Sequence, residues 1–361
     1  MIYFFFGTTA EYIKLIPVIS KVKKSGIGFK VVLSGQTSID MAEFKKISGL
    51  SKPNFEFEEK NSRSSSLFFA IWAIRTFVKS LVWGLSEFRF RKSNVMIIQG
   101  DTVSALIGSI LGRVFLMRVV HVEAGLRTKN LMEPFPEEIN RRIISLVTNY
   151  HFCQNKDAMG NLKNVPTSRK FNTLYNTSIE SLEMALSLKG GDIGAKKHGK
   201  YFIFILHRQE HLYLRKRETV KLIEEVMKFS NKGINCYFLI HDVTKEFLVN
   251  TGLYQKIEKS KYMIPMGRMK YLDFVHFFNR SQFAITDGGG NHTEAHYLGK
   301  PCVILKRESE QTEGVGENIL VTEDLKKVKK FIKEYKLHNR KKLKIKKWPS
   351  EVIMGEIKKI V

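Results

Sequence analysis

The chain has little cysteine: Cys153, Cys236 and Cys302 stand far apart among 361 residues and form no C-x-x-C pair. That spacing argues against a disulfide framework and a cysteine-built zinc site, and it suits a reducing compartment. Acids are scarce as well, 35 Asp+Glu against 60 Lys+Arg, for a formal net charge of +25. Such a surplus draws anions: nucleotides, phospholipid surfaces or nucleic acid. No nucleic-acid motif and no glycine–aromatic RNA-binding signature accompanies it, so nucleic acid is not an expected partner. An uninterrupted run of about 18 uncharged apolar residues is missing too, and no transmembrane helix is expected. The opening MIYFFFGTTAEYIKLIPVI lacks a basic leader and a small-residue cleavage site. It reads instead as strand, turn and helix, so the expectation is a cytoplasmic protein without a signal peptide.

Hydrophobic residues make up 43% of the chain, enough for a packed core. Short β-branched and aromatic runs recur, each followed by a helical pattern. MIYFFFG, FKVVLSG, NVMIIQGD, RVVHVEAG and YHFCQ read as buried parallel strands, and YFIFILH, NCYFLIH, MIPMG, FAITDGGG and PCVILK form a second series. Continuous apolar strands between helices predict parallel sheets covered on both faces. The expected architecture is α/β: two Rossmann-like, doubly wound domains facing a cleft. The expected divisions are residues 1–175, residues 176–348, and a closing helix at 349–361 that packs back across the domains.

Two segments call for a helical reading of their own. At about 100° per residue, Ile74, Phe77, Val78, Leu81, Val82 and Leu85 share one face of a helix over 67–90, read as the core face. Trp72, Arg75, Lys79 and Trp83 gather opposite, and are expected to meet a second subunit or an anionic membrane surface at its inner face. The lysine-rich stretch 325–347 carries apolar residues at helix-like intervals and reads as a solvated helix face plus a basic connector.

The chemistry concentrates in HVEAGLRTKNLMEPFPEEINRR (121–142), where Glu123, Glu133, Glu137 and Glu138 crowd Arg127, Arg141 and Arg142. Spacing alone fits either a surface ion-pair network or working acids beside an anionic ligand. IIQGDT puts Asp101 at a strand end, and GTTAEYIK turns into a helix carrying Lys14. ILHRQEH places His207 and Arg208 at another strand end, where they can neutralise or protonate a diphosphate. In ITDGGGNHTEA, the glycines Gly288, Gly289 and Gly290 let a ligand approach the backbone at a helix N-terminus. Glu294, about a turn further on, can accept from ribose hydroxyls.

Taken in order, GTTAEYIKLIPVI, SGQ, QGDTVSALIG, HVEAGLRT, PFPEEINRR, NTSIE, HRQEH, DGGGNHTEA, LGKP and EGVGEN resemble the non-hydrolysing UDP-N-acetylglucosamine 2-epimerase family, which has a glycosyltransferase-B-like fold. The resemblance implies catalytic roles for Asp101, Glu123, Glu137 and His207. It implies substrate or UDP contacts for Lys14, Arg141, Arg208, Gly288, Gly289, Gly290 and Glu294. It further implies a UDP-sugar substrate, a homodimer, no cofactor and no metal. In that family the C2 proton, which is not acidic beside an acetal carbon, is released by eliminating UDP. A 2-acetamidoglucal forms, and UDP adds back with a proton delivered to the other face. The purpose is a precursor for surface polysaccharide or other glycans. Some residues depart from the pattern. Thr9-Ala10 and Gln311-Thr312 each stand where the family usually has Arg-Pro, Thr37 stands for a histidine, Gly288 for a serine, and His292-Thr293 for Gln-Glu. The family's segment for allosteric substrate binding is not recognisable over 54–66. A hydrolysing relative, a membrane-associated glycosyltransferase of the same fold and a weakened nucleotide-sugar-binding protein are the alternatives.

Overall fold

The computed structural model describes residues 1–361 apart from 59–65, 89–92, 129–134, 167, 190–198 and 232. Glu133 and most of the 54–66 segment therefore lie outside the described residues. The chain divides into two compact units, Met1–Met184 with Ile345–Val361, and Ala185–Lys344.

In the first unit, strands β1 (Ile2–Phe6), β2 (Phe29–Leu33), β3 (Phe55–Glu56), β4 (Val95–Gln99), β5 (Arg118–Val122), β6 (Tyr150–Cys153) and β7 (Arg169–Asn172) form one sheet, ordered β3-β2-β1-β4-β5-β6-β7. Every pairing is parallel. Helices α1 (Thr9–Lys24), α2 (Lys45–Ser48), α3 (Ser66–Glu87), α4 (Val103–Val114), α5 (Glu137–Val147) and α6 (Lys156–Gly160) connect and follow the strands, and α7 (Ser178–Ser187) begins in this unit and carries the chain into the second. All five residues of β1 and of β4 are buried, as strands covered on both faces must be.

In the second unit, β8 (Tyr201–Ile205), β9 (Asn235–Leu239), β10 (Met263–Met266), β11 (Ala284–Thr286), β12 (Cys302–Ile304) and β13 (Ile319–Val321) are ordered β10-β9-β8-β11-β12-β13, again all parallel. Helices α8 (Lys216–Phe229), α9 (Asp242–Asn250), α10 (Leu253–Glu258), α11 (Tyr271–Arg280), α12 (Gly289–Leu298) and α13 (Leu325–Lys333) belong to it. In both sheets the order reverses beside the first strand of the unit, between β1 and β4 and between β8 and β11. Such switch points leave a crevice beyond the carboxyl ends of the strands, where open α/β sheets bind ligands.

The closing helix α14 (Pro349–Ile357) returns to the first unit. Pro349 suits its first turn, where a missing N–H costs nothing. Glu180, buried, accepts from the Ser350 backbone N–H at 2.6 Å and from its hydroxyl at 2.5 Å, while Lys21 of α1 meets Glu351 at 3.1 Å. Helix α13 sinks Val328, Phe331 and Ile332 into the second unit's core and leaves Lys326, Lys327, Lys330 and Lys333 in solvent, a solvated basic face.

Helix α3 corrects the expected face. Trp72 is buried, stacks on Phe69, and its indole N–H donates to the Glu58 carbonyl at 3.3 Å. Trp83 stacks on Phe55 at 4.8 Å and meets Phe57 and Phe88 edge-on. Arg75 and Lys79 pair with Glu58. The two tryptophans of the face read as a surface contact are thus turned on their own domain, where wide rings roof the short strand β3, while Arg75 and Lys79 stay exposed. The face read as core is outside: Ile74 is 65% exposed, Val82 65% and Leu85 62%, with only Phe77 and Leu81 half-buried in the core. A wheel separates the faces but does not say which meets the sheet. By length and composition Leu67–Glu87 also qualifies to cross a membrane, contrary to expectation. Its arginine and lysine, paired with Glu58, and its two packed tryptophans belong to a domain helix.

Candidate active site

At the switch point of the first unit, the turn after β1 is pinned by glycine. A Cβ at Gly7 would lie 2.0 Å from Ser34 Oγ and 2.2 Å from Ser104 Oγ. Thr8 caps α1, and one turn in, Lys14 Nζ reaches Glu123 Oε2 at 2.5 Å. Glu123 follows β5 with φ of 65°, a left-handed conformation for a residue with a Cβ. Strain of that kind, about 1–3 kcal/mol, persists where the surroundings over-determine it. Here they do: Gln99 Nε2 donates to the same carboxylate oxygen as Lys14, and Asn176 Nδ2 donates to Oε1 at 2.5 Å. Asn176 is in turn shared with Gln154 Oε1 at 2.7 Å.

Asp101 sits in the turn after β4. Arg141 of α5 grips one of its oxygens through Nε at 2.7 Å and Nη2 at 2.6 Å, and Asn140 Nδ2 donates to its carbonyl at 2.9 Å. Arg141 is aimed by Glu138, which is fully buried and takes Arg141 Nη1 at 3.2 Å, Arg142 Nε at 3.0 Å and the Thr128 N–H at 3.1 Å. Glu137, the neighbouring acid, opens α5 half-buried. The structure therefore sorts the run of acids: Glu138 is the structural anchor, while Glu123 and Asp101 each hold a cation at adjacent strand ends. Gln99, Asn176 and Glu138 were not singled out as site residues. Gln99 lies in the IIQGDT motif and Asn176 in NTSIE, but neither is titratable, and sequence alone does not mark an amide as the partner of a carboxylate.

In the second unit, His207 lies two residues beyond the end of β8, and Asp287 directly follows β11. Asp287 Oδ2 accepts the backbone N–H groups of His207 at 2.8 Å and Arg208 at 2.7 Å, and Oδ1 lies 2.7 Å from His207 Nδ1. Burial works to raise the Asp287 carboxyl, but the His207 ring and these N–H groups hold it below its usual value. A carboxylate so fixed faces the ring nitrogen at contact distance and restrains where the ring sits. His241 stacks on His207 at 5.2 Å. Asp287, inside the quoted ITDGGG, is the clearest residue that sequence reasoning passed over. His211, the second histidine of HRQEH, is structural: its Nε2 lies 2.9 Å from the Leu305 carbonyl.

Gly288 precedes α12 without any side-chain cap, leaving the helix's first N–H groups open to a ligand. A Cβ at Gly289 would stand 3.9 Å from Lys306 Nζ and 3.9 Å from Gln311 Nε2. Lys306, a buried cation unmarked by any motif, pairs with Glu310 at 3.2 Å. Glu294 accepts from Asn291 Nδ2 at 2.9 Å. Among the described residues no cluster of His, Cys, Asp and Glu could hold a metal.

Two doubly wound parallel sheets, with carboxylates gathered at one switch point and an uncapped glycine-led helix at the other, define a two-domain α/β protein of the glycosyltransferase-B-like class. The profile of the UDP-N-acetylglucosamine 2-epimerase family matches residues 73–355. The chain belongs to that family. It is 28% identical to the UDP-N-acetylglucosamine 2-epimerase of Methanocaldococcus jannaschii over 347 residues, 90% of this chain and 89% of that protein. It is 30% identical over 238 residues to the UDP-2,3-diacetamido-2,3-dideoxy-D-glucuronate 2-epimerase of Pseudomonas aeruginosa, covering 64% of each. A crystal structure of the M. jannaschii enzyme in complex with UDP-GlcNAc and UDP superposes with a TM-score of 0.83 at 26% identity, over 100% of this chain and 99% of that one. The resemblance read from the motifs is borne out.

Proposed function

We propose that the protein interconverts UDP-N-acetylglucosamine and its C2 epimer, or a related UDP-2-acetamido sugar pair, by elimination and re-addition of UDP. One observation carries the reading: Glu123 and Asp101 sit at neighbouring strand ends, each held by its own cation, a pair of carboxyl groups placed side by side for proton transfer. As the C1–O bond breaks, UDP leaves with the electron pair and C2–H becomes acidic. A carboxylate takes that proton, giving the 2-acetamidoglucal. UDP then returns while a proton is delivered to the opposite face. Asp101, Glu123 and Glu137 are the acid/base set, with Lys14 and Arg141 as sugar-side contacts. The first unit thus supplies the proton transfers. In the second, His207, oriented by Asp287, supports the departing diphosphate together with Arg208 and Gly288, Gly289 and Gly290, and Glu294 takes the ribose. No cofactor is required.

The protein is proposed to act as a homodimer. The aliphatic face of α3 is exposed; α4, which packs against α3, exposes Val114 and, just past its end, Leu116, and α5, which packs against α4, exposes Ile143 and Leu146. Exposed apolar side chains on these helices support a subunit interface here. An anionic-membrane contact through Trp72 and Trp83 has no support, since both rings pack within their own unit.

Incubation with UDP-N-acetylglucosamine in deuterium oxide tests the reaction. Deuterium should enter at C2 and a gluco/manno nucleotide-sugar mixture should form. Asp101→Asn, Glu123→Gln and Glu137→Gln should each slow turnover by about 10²–10⁴-fold. Labelled free sugar would mean a hydrolysing enzyme. No label with any of several UDP-2-acetamido sugars, the diacetamido uronate included, would refute the proposal, and acceptor-dependent UDP release would then mean a transferase.

A further inference from the structure

Glu11 is buried, 1% exposed, and has no part in the roles given above. It lies in the first turn of α1. Its Oε2 accepts the Gly7 backbone N–H at 3.0 Å and the Thr8 hydroxyl at 2.9 Å, and its Oε1 accepts the Thr102 hydroxyl at 2.7 Å. Thr102 directly follows Asp101 and caps α4, its oxygen accepting the Ala105 N–H at 3.0 Å. A single carboxylate thus ties the turn after β1 to the turn after β4, on the two strands that flank the switch point. Three residues further along, on the same side of α1, Lys14 holds Glu123.

A carboxylate in the interior is costly, and an apolar side chain would pack a helix against a sheet more cheaply. Packing therefore does not account for Glu11. Its three donors do, because each belongs to a turn at the site. Asp101 is already restrained from α5, by Arg141 on its side chain and Asn140 on its carbonyl. Glu11 adds a restraint from α1, the element that also carries the cation of Glu123.

We propose that Glu11 is a positioning residue for proton transfer: through Thr102 it fixes the turn bearing Asp101, and through the start of α1 it fixes Lys14 and with it Glu123, so that the two carboxylates keep their spacing. This rests on the epimerase reading, and it locates the control of that spacing in a buried residue outside the proposed acid/base set.

The test compares full-length wild type, Glu11→Gln, Thr102→Val and the double variant. Epimerisation kinetics and UDP binding by calorimetry are measured for each. If wild type does not epimerise, the reading beneath the inference fails and the inference with it. If it does, both single variants should lose about 10- to 100-fold in kcat, the scale of a misplacement near 1 Å. KM should stay within about threefold and UDP affinity should not change, since the groups proposed to hold UDP are in the other unit. The double variant should lose no more than the worse single, because both cut one link. A merely structural Glu11 would lower stability without this split between kcat and KM. Wild-type kcat in Glu11→Gln, a loss shared equally by KM and UDP affinity, or losses that multiply in the double variant would each overturn the inference. Should Glu11→Gln not fold, Thr102→Val decides alone, by the same split in its own kcat and KM.

Discussion

Removing the Glu138 charge tests how the site's cations are held. Glu138 has no exposed surface, Arg141 is 5% exposed, and the Arg127 side chain is 17% exposed with Nε 3.9 Å from Glu138. Glu138→Gln keeps the shape but not the charge. Arg141 keeps Asp101, and Arg127 keeps the Leu126 carbonyl and the Ser145 hydroxyl, so neither is left bare. Arg142, half in solvent, adds little. Breaking a buried pair by removing one partner costs about 3–5 kcal/mol, and the remaining partners put this case near the lower end, about 3 kcal/mol. For a unit of about 200 residues this lowers the melting midpoint by about 6–12 °C. All three tryptophans, Trp72, Trp83 and Trp348, lie in the first unit, so tryptophan fluorescence follows that unit's melting. Glu58→Gln is the control: it also removes an acid from two basic partners, Arg75 and Lys79, but at the solvated surface, and the midpoint should hardly move. A midpoint for Glu138→Gln within 2 °C of wild type, or an equal shift in Glu58→Gln, would refute the reasoning.

Burial raises the Glu11 carboxyl from 4.5 to about 7, against the opposing pull of its hydrogen bonds. An acid whose folded value is raised gives stability that is fully present below the unfolded value and lost as pH rises through the folded one. The stability of Glu11→Gln relative to wild type should therefore climb between about pH 4.5 and 7, by about 3 kcal/mol, and level off above; parallel denaturation profiles would contradict this. Asp287→Asn keeps a group near His207 but loses the charge that orients it, so kcat should fall about 10²-fold in steady-state assays with an unchanged fold by circular dichroism. Val78→Glu with Val82→Glu should give monomers in sedimentation velocity. A dimer that survives both changes removes α3 from the interface, and vesicle binding lost with them would make the face a membrane contact.

The central strands were legible because full burial writes itself as an unbroken apolar run: IYFFF, VMIIQ and YFIFI leave no other reading. The edges were not. Strand β3 is two residues long, β7 is the polar RKFN, and β13 hides in ENILVTED, because a strand with one open side needs neither length nor a hydrophobic face. The site was legible where a charged side chain stood at a strand end. It was illegible where an amide or a second acid served the first, as Gln99 and Asn176 serve Glu123 and Asp287 serves His207. Adjacent glutamates differ only by 100° on a helix, so Glu137 and Glu138 could be given separate duties only once α5 was oriented.

The departures from the family pattern also acquire a physical sense. At Gly288, where serine is usual, a Cβ would stand 3.0 Å from Asn291 Oδ1, 3.2 Å from Thr286 Oγ1 and 3.3 Å from His207 Cε1. Each neighbour would have to give by a few tenths of an ångström, and His207 is the one that Asp287 holds in place. Glycine therefore goes with a histidine drawn close to the helix start. Gln311, where arginine is usual, accepts the Thr293 hydroxyl at 2.8 Å, and threonine itself replaces a glutamate there. The two changes fit each other: one exchange removes a positive charge and the other a negative one, and the two neutral residues bond to each other. Lys306 remains the buried cation beside it. On the proposed reading these exchanges retune how tightly the diphosphate is held, while the grip on Asp101 and Glu123 is made by a different unit with residues that all match the pattern. Diphosphate affinity and proton transfer are then free to vary separately, which is how a chain this far from its relatives can keep their chemistry.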